Sequence, residues 1–467
     1  MSGLHEVDVA IVGAGPAGLA AAIAARSLGA SVLVIDEYSA AGGQYHRQSA
    51  RPGPPASDAT QAERQGRALA SRAREAGVAF WADAYVWAAF ANAMLAVDQA
   101  GMRRDVRARS LVVSTGAHDR VMPFPGWTLP GVMTVGAAQA LVKAHAVVPG
   151  QRIVVAGSGP FLLVVAEGLA KAGAAVEILE AARFRASVLA TFLRFPNRWG
   201  ELLGLLRTLR ARGVGLTLGR VVMRAEGQDG LQGVVSQAVD ARGTPIAGTV
   251  LRHDADALAI AYGFRTQVDL ARMLGCRTRY DDAAGGHAVI VDADTGRTSQ
   301  AEIYAAGEVT GVGGHEVAAL EGTIAGLSAA MSLGYTSPAA LSRLAAARRG
   351  RAKAQRFADV VAATFAPSRD LALLPAAETI VCRCEGVTRD SIDRAIAAGA
   401  TTASAVKRWT RCGMGRCQGR MCGWGLARLV AARTHSPMAL ADNLTARLPL
   451  KPVSLGTIAG SNPPLVK

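Results

Sequence analysis

The apolar residues of this chain fall into short runs that pass into glycine turns and then into alanine-rich stretches with helical spacing. Val7 to Ile11, Ser31 to Ile35, Arg152 to Ala156, Val176 to Leu179 and the run from Ile303 read as strands, and the first, third and last lead through glycines into helices. Strands alternating with helices in this way predict an α/β protein built on doubly wound sheets. The stretch after Phe161 is the most hydrophobic, but Glu167 and Lys171 interrupt it before it reaches the length of a membrane span, so none is expected. The first apolar run has no basic segment ahead of it and flows straight into a glycine motif, so it reads as a strand rather than a signal peptide, and a cytoplasmic location is expected.

At 467 residues the chain is long enough for about three domains. Its 52 glycines and few aromatics suit nucleotide-binding sheets. The formal charge of +15 comes from arginines spread throughout, not from one stripe with aromatic platforms, so nucleic acid is not expected as a partner. The dense stretches Arg183 to Arg212 and Arg343 to Arg356 read first as solvated helix faces or subunit contacts and second as contacts for anionic partners.

The first strand runs into Gly13-Ala14-Gly15-Pro16-Ala17-Gly18 and a helix, and the second ends at Asp36-Glu37. In such a unit the first glycine makes the turn, the second admits a pyrophosphate to the backbone, and the third lets helix and strand pack closely. The phosphates meet the helix N-terminus and the acid takes the ribose hydroxyls. Gly42-Gly43-Gln44 then adds backbone room, and this pair resembles FAD enzymes of the glutathione-reductase type. Ser114-Thr115-Gly116-Ala117 is similar to their mid-chain motif, and Ala306-Gly307-Glu308 to the Gly-Asp pair that returns to the FAD, with Glu in place of Asp. The resemblance implies that FAD is held by Gly13, Gly15, Pro16, Ala17, Gly18, Asp36, Glu37, Gly43, Gln44, Thr115, Gly116, Gly307 and Glu308.

A second βαβ unit carries Gly157-Ser158-Gly159-Pro160-Phe161-Leu162, with Glu180 at the tip of its next strand. Leu162 stands where the third glycine belongs. Three readings stay open for Gly157, Gly159 and Glu180: an NAD site, a site for another adenine nucleotide, or a relic serving as an interface. If NAD binds, Glu180 favours it over NADP by bonding the 2′-hydroxyl.

Five of the six cysteines crowd between Cys382 and Cys422. In a large chain such crowding argues for metal rather than disulfides. Cys382 and Cys384, then Cys417 and Cys422, form two close pairs that suit either a [2Fe–2S] cluster or zinc. The C-x-C and C-x4-C spacing resembles the bacterioferritin-associated-ferredoxin-like module, together with Glu385-Gly386-Val387-Thr388, a helix from Asp390 to Ala398 and Arg411-Cys412-Gly413-Met414-Gly415. That resemblance implies a [2Fe–2S] cluster on Cys382, Cys384, Cys417 and Cys422; Cys412, a fifth cysteine and so a candidate spare ligand, reads as packing or as a bystander near the cluster. Cys276, beside Met273 and Leu274, reads as a buried small hydrophobe. Lys407, Arg408, Arg411, Arg416 and Arg420 surround the thiols in sequence, and positive charge there raises a cluster's reduction potential.

A flavin takes two electrons at once and a [2Fe–2S] cluster passes one, so the pair makes a two-to-one electron converter. With no redox cysteine pair ahead of residue 382, disulfide reduction is not expected. The order of modules resembles the family that includes the larger FAD subunits of opine oxidase, cis-4-hydroxy-D-proline dehydrogenase and hydrogen cyanide synthase. Phrases such as Gly42-Gly43-Gln44-Tyr45, Asp119 to Trp127, Ala261-Tyr262-Gly263-Phe264 and Gly413 to Arg420 carry that resemblance.

It implies a heteromer in which a partner flavoprotein with a D-amino-acid-oxidase-like fold oxidises a small amine or imino acid and this chain relays electrons to an acceptor. No catalytic residue is assigned. His46, His118 and His315 read as hydrogen-bonding or loop histidines. The alternative is a stand-alone NADH-dependent reductase of a protein acceptor. The expected architecture is a two-dinucleotide-binding-domain flavoprotein with glutathione-reductase-like Rossmann domains and a small C-terminal helical [2Fe–2S] domain. Its expected parts are an FAD domain at 1–145 and 266–345, an inserted NAD-like domain at 146–265, a linker at 346–375, the cluster module at 376–435 and a tail at 436–467.

Overall fold

The computed structural model describes residues 4–49, 60–183, 194–442, 444–445 and 447–460. The chain forms two compact units, the first from residues 1–117, 266–359 and 445–467, the second from 118–265 and 360–444. Among the described residues no helix is long and apolar enough to cross a membrane.

The first unit is built on a seven-stranded sheet. Its parallel part runs Ala79–Trp81, Val32–Ile35, His5–Val12, Met102–Val113 and Ile303–Ala305. The strand Met102–Val113 also continues into an antiparallel meander with Met94–Gln99 and Ala84–Phe90. Helix Pro16–Arg26 packs on helix Gly314–Ser332. The approach is close because a Cβ on Gly322 would lie 2.0 Å from the Ala17 carbonyl, and one on Gly326 2.2 Å from that of Ala21. The tail packs on the meander: Leu450 N–H donates to the Trp87 carbonyl, and Thr457 donates to Asp98.

The second unit holds a parallel sheet in the order Gly215–Leu218, Ala175–Glu180, Arg152–Gly157, Ala257–Ala261 and Val132–Thr134. A three-stranded antiparallel sheet, Arg220–Glu226, Gly233–Ala238 and Leu251–Asp254, accompanies it. The sequence places residues 118–145 with the FAD domain, but Val132–Thr134 pairs with Ala257–Ala261, and helix Val135–His145 packs beside helix Phe161–Lys171. Residues 346–364 of the expected linker belong to helix Pro338–Thr364. Residues 380–432 form a hairpin and three helices, Arg389–Ala397, Ala403–Thr410 and Gly423–Thr434. This module shares one core with the second sheet, where Val121, Met122, Phe124, Trp127 and Tyr262 pack with Val381, Cys382, Trp424 and Leu426.

Candidate functional sites

In the first unit the glycine turn is locked by its neighbours. Gly13 N–H donates to the Ile35 carbonyl at 2.8 Å and Ala14 N–H to Asp36 Oδ2 at 2.5 Å. Gly13 has φ +106°, and a Cβ there would lie 2.4 Å from the Ser114 carbonyl. A Cβ on Gly18 would lie 1.8 Å from the Gly13 carbonyl, which is the close packing expected of that glycine. Gly15 differs: its φ is −74° and a Cβ would meet only Gly43 Cα, at 3.9 Å. The space beside Gly15 is therefore open, and Pro16 starts a helix directly after it, an arrangement that fits a phosphate at a helix N-terminus.

The downstream glycines close on this turn. Gly42 N–H donates to the Ala14 carbonyl at 2.8 Å, and Gly43 lies so near that a Cβ on it would come 2.7 Å from Gly15 Cα. Asp36 also accepts from Tyr38 N–H, and burial raises its carboxyl above the ordinary carboxylate range. Glu37 pairs with Lys451 of the tail. Gln44 reaches Tyr38 and Arg47, and the Tyr45 ring stacks on His315 at 3.8 Å, which ties this loop to the one after Gly311. His46 bonds the Ala62 carbonyl through Nδ1 at 2.7 Å.

Thr115 and Gly116 form the mid-chain turn: Thr115 donates to the Gln267 carbonyl at 2.6 Å, and Gly116, at φ +73°, accepts from Gln267 N–H. Gly307, at φ +81°, brings its N–H to Glu321 at 3.0 Å, and a Cβ on it would strike the Ala17 side chain at 2.7 Å. Burial pushes the Glu308 carboxyl up to about 7 against a hydrogen bond from Gly314 N–H. Glu321 supports this turn and is missed by the sequence motifs. It is buried in an Ala/Gly-rich helix, holds Gly307 and Thr310, and is neutralised by Arg351 at 2.8 Å. An acid at a position that helical spacing places on the buried face, among Val317, Ala318, Ile324 and Ala325, is the signal that could have found it.

The second glycine turn is built differently. Ser158 N–H donates to the Ala261 carbonyl and Gly159 N–H to Glu180, so the acid holds the second glycine here, whereas in the first unit it holds the residue before it. Gly159 adopts φ +121° and the helix starts only at Phe161. Leu162 is fully buried among Val135, Ile153 and Val165. The Ser158 hydroxyl donates to the Phe365 carbonyl. Glu180 uses both oxygens on backbone N–H groups, of Gly159 and Ala182, and burial pushes its carboxyl up to about 7.

The five C-terminal thiols fall into two groups. The sulfurs of Cys382, Cys412 and Cys422 lie within 4.8 Å of one another, all buried. Cys417 lies within hydrogen-bonding reach of Cys384, on the more exposed side. Cys412, expected from the resemblance to be packing or a bystander, is thus part of the inner group. Hydrogen bonds from the Cys412 and Cys422 thiols, with Gly413 and Glu385 N–H, pull the Cys382 thiol far below its ordinary value. The glycines around the thiols leave room: a Cβ on Gly415 would lie 2.2 Å from Cys384 Cβ, and one on Gly413 3.9 Å from Cys422 Sγ. Four or more convergent thiols, backbone N–H groups aimed at sulfur and side-chain-free neighbours fit a thiolate-held cluster. His118 donates through Nε2 to the Arg420 carbonyl at 3.0 Å, between Cys417 and Cys422; burial, then Arg265, holds its pKa down at about 3, so the ring is neutral.

Residues 7–334 match the pyridine nucleotide-disulphide oxidoreductase family, and residues 380–432 match the BFD-like [2Fe-2S] binding domain. The chain is 33% identical to the opine oxidase A chain of Agrobacterium tumefaciens over 97% of this chain and 91% of that one. It is 35% identical to the corresponding opine oxidase chain of Rhizobium meliloti strain 1021, over 97% and 98%. The chain belongs to this flavoprotein family.

Hydrogen cyanide synthase subunit HcnB of Pseudomonas protegens is 32% identical over 98% of each chain. In fold the chain resembles L-proline dehydrogenase from P. horikoshii, with a TM-score of 0.71 and 22% identity over 98% of this chain and 81% of that one. The protein is accordingly an FAD-dependent oxidoreductase with a [2Fe–2S] centre. Cys276 is the sole cysteine before Cys382, and it is buried against Thr298.

Proposed function

We propose that this chain is the electron-relaying subunit of a heteromeric dehydrogenase that oxidises a C–N bond of an opine, D-hydroxyproline-like or related imino acid. The observation that carries the reading is the joint presence of an FAD cradle and a thiol cluster in a chain without a redox cysteine pair. Its full-length relatives are named as subunits of opine oxidase and hydrogen cyanide synthase. When bound, FAD accepts electrons in pairs and releases them singly, and the cluster carries one at a time. The chain's own residues supply the holding groups: Gly13, Gly15, Pro16, Ala17, Gly18, Asp36, Glu37, Gly43 and Gln44 for one end of the FAD, with Thr115, Gly116, Gly307 and Glu308 along it. Cys382, Cys384, Cys417 and Cys422 are the proposed cluster ligands. The catalytic groups that deprotonate the amine belong, on this reading, to a partner flavoprotein with a D-amino-acid-oxidase-like fold.

The second reading is a stand-alone NADH-dependent reductase using Gly157, Gly159 and Glu180. Its support is the βαβ unit itself. Against it stand the displaced turn, the buried Leu162 and the Ser158 hydroxyl already engaged. An anaerobic spectrum of the chain alone and with co-purified partners separates the two. Flavin bleaching by an imino acid or opine only with the partner is the expected result. Bleaching of the lone chain by NADH would overturn it in favour of the reductase.

A further inference from the structure

Five thiols converge where a [2Fe–2S] cluster takes four, two on each iron. Their grouping is uneven. Cys384 and Cys417 form the outer pair, while the inner group has three members with sulfurs within 4.8 Å: Cys382, Cys412 and Cys422. Cys412 is held there by its turn. Arg411 has φ +65° and Gly413 φ +85°, Met414 N–H closes on the Arg411 carbonyl at 2.9 Å, and Cys412 N–H donates to Thr410 Oγ1 at 3.2 Å. The same turn lies against the other inner thiols: a Cβ on Gly413 would sit 3.9 Å from Cys422 Sγ, and Gly413 N–H bonds Cys382. Cys412 is therefore within a side-chain adjustment of either inner ligand position, and no fifth thiol stands beside the outer pair among the described residues.

We propose that Cys412 is a reserve ligand of the inner iron, which takes the vacant position when Cys422 is lost, and that the outer iron has no reserve. The proposal rests on the reading of these thiols as a [2Fe–2S] site. In the exchange a bond forms between iron and Cys412 Sγ, the thiol proton passes to water, and the charge of the four-thiolate set is unchanged. A reserve on the buried side alone makes tolerance to ligand loss unequal across the cluster.

The test is iron and labile-sulfide content, with the electron paramagnetic resonance spectrum of the reduced cluster, on the full chain and its variants. Bound FAD serves as the control for folding. Cys412→Ala is expected to keep its iron and sulfide. Cys422→Ala is expected to keep most of both with a shifted spectrum, because Cys412 replaces the lost sulfur. Cys384→Ala, and the double variant Cys412→Ala with Cys422→Ala, are expected to lose the cluster while retaining FAD. Loss of the cluster from Cys422→Ala would overturn the reserve role and leave the [2Fe–2S] reading standing. Loss from Cys412→Ala alone would make Cys412 a primary ligand and also overturn it. Wild-type protein that carries FAD but no labile sulfide would overturn the cluster reading, and the reserve with it.

Discussion

The indole of Trp127 donates from Nε1 to the carbonyl of Ile380 at 2.5 Å, two residues before the first cysteine of the cluster module. Arg383 covers the same ring, its guanidinium carbon 4.1 Å from the centroid, and bonds the Trp127 carbonyl. Trp127 is buried in the core that the second sheet shares with the module, so it fixes the strand Ile380–Cys382. Trp127→Ala removes the packing and the hydrogen bond together and is expected to cost about 3–5 kcal/mol. Iron content should fall while FAD, whose proposed holding residues lie in the first unit, stays bound. Thermal unfolding with iron and flavin assays would check this, and an iron-replete Ala variant would show that the indole does not position the module.

Gly15 and Gly18 make opposite demands. A Cβ at Gly18 has no room, lying 1.8 Å from the Gly13 carbonyl, so Gly18→Ala is expected to destabilise the unit by about 1–3 kcal/mol and to weaken FAD binding as well. At Gly15 the backbone is ordinary and the nearest atom is 3.9 Å away. Gly15→Val should therefore fold with near wild-type stability yet bind no FAD, since its side chain fills the pyrophosphate space. Flavin content measured beside the apoprotein's unfolding curve distinguishes the two roles, and a Gly15→Val protein that keeps FAD would remove Gly15 from the site.

Much of this is legible in the sequence because glycine patterns encode backbone geometry directly. Gly13, Gly18, Gly43 and Gly307 stand where a Cβ would strike backbone or a packed helix, so the motif and the structure express one constraint. The module is legible for a related reason: the predicted helix Asp390–Ala398 differs from Arg389–Ala397 by one residue at each end, with Thr388 as its cap. What depends on distant pairing is not legible. Val132–Thr134 is a three-residue strand whose place is set by Ala257–Ala261, well over a hundred residues later, so the sequence pattern puts residues 118–145 on the wrong side of the boundary. The nearness of Cys412 to Cys382 is likewise not legible, because it depends on left-handed backbone at Arg411, which composition does not announce.

Glu180 gives a pH dependence with a definite sign. Its carboxyl is raised from 4.5 to about 7 by burial, so the fold holds a proton that the unfolded chain releases. The stability from that proton is fully present below the unfolded value and is lost as pH rises through about 7. Comparing wild type with Glu180→Gln, the difference in unfolding free energy should shrink by roughly 2–3 kcal/mol between pH 5 and pH 8. Denaturant titrations of the apoprotein across that range check it, and parallel curves would mean that Glu180 is ionised throughout. Bound nucleotide is avoided so that ligand linkage does not enter the slope.

Arg411 and Arg416 separate two ways in which charge acts on the cluster. Arg411 pairs with Glu385 at 2.8 Å, and Glu385 adjoins Cys384, while Arg416 is exposed beside Cys417 and makes no ion pair among the described residues. Removing either charge makes the surroundings of the reduced cluster more negative, so both changes lower the reduction potential. Arg416→Gln deletes one solvated charge and should lower the midpoint by about 10–20 mV, the size of an exposed surface interaction, with the effect shrinking in high salt. Arg411→Gln also uncovers the half-buried Glu385 carboxylate beside a ligand and should lower it by more. Adding Glu385→Gln to Arg411→Gln restores net neutrality of the pair and should return the potential close to wild type. Potentiometric titration followed by electron paramagnetic resonance measures all four proteins, and an Arg411→Gln shift no larger than that of Arg416→Gln would mean that Glu385 does not sense the cluster.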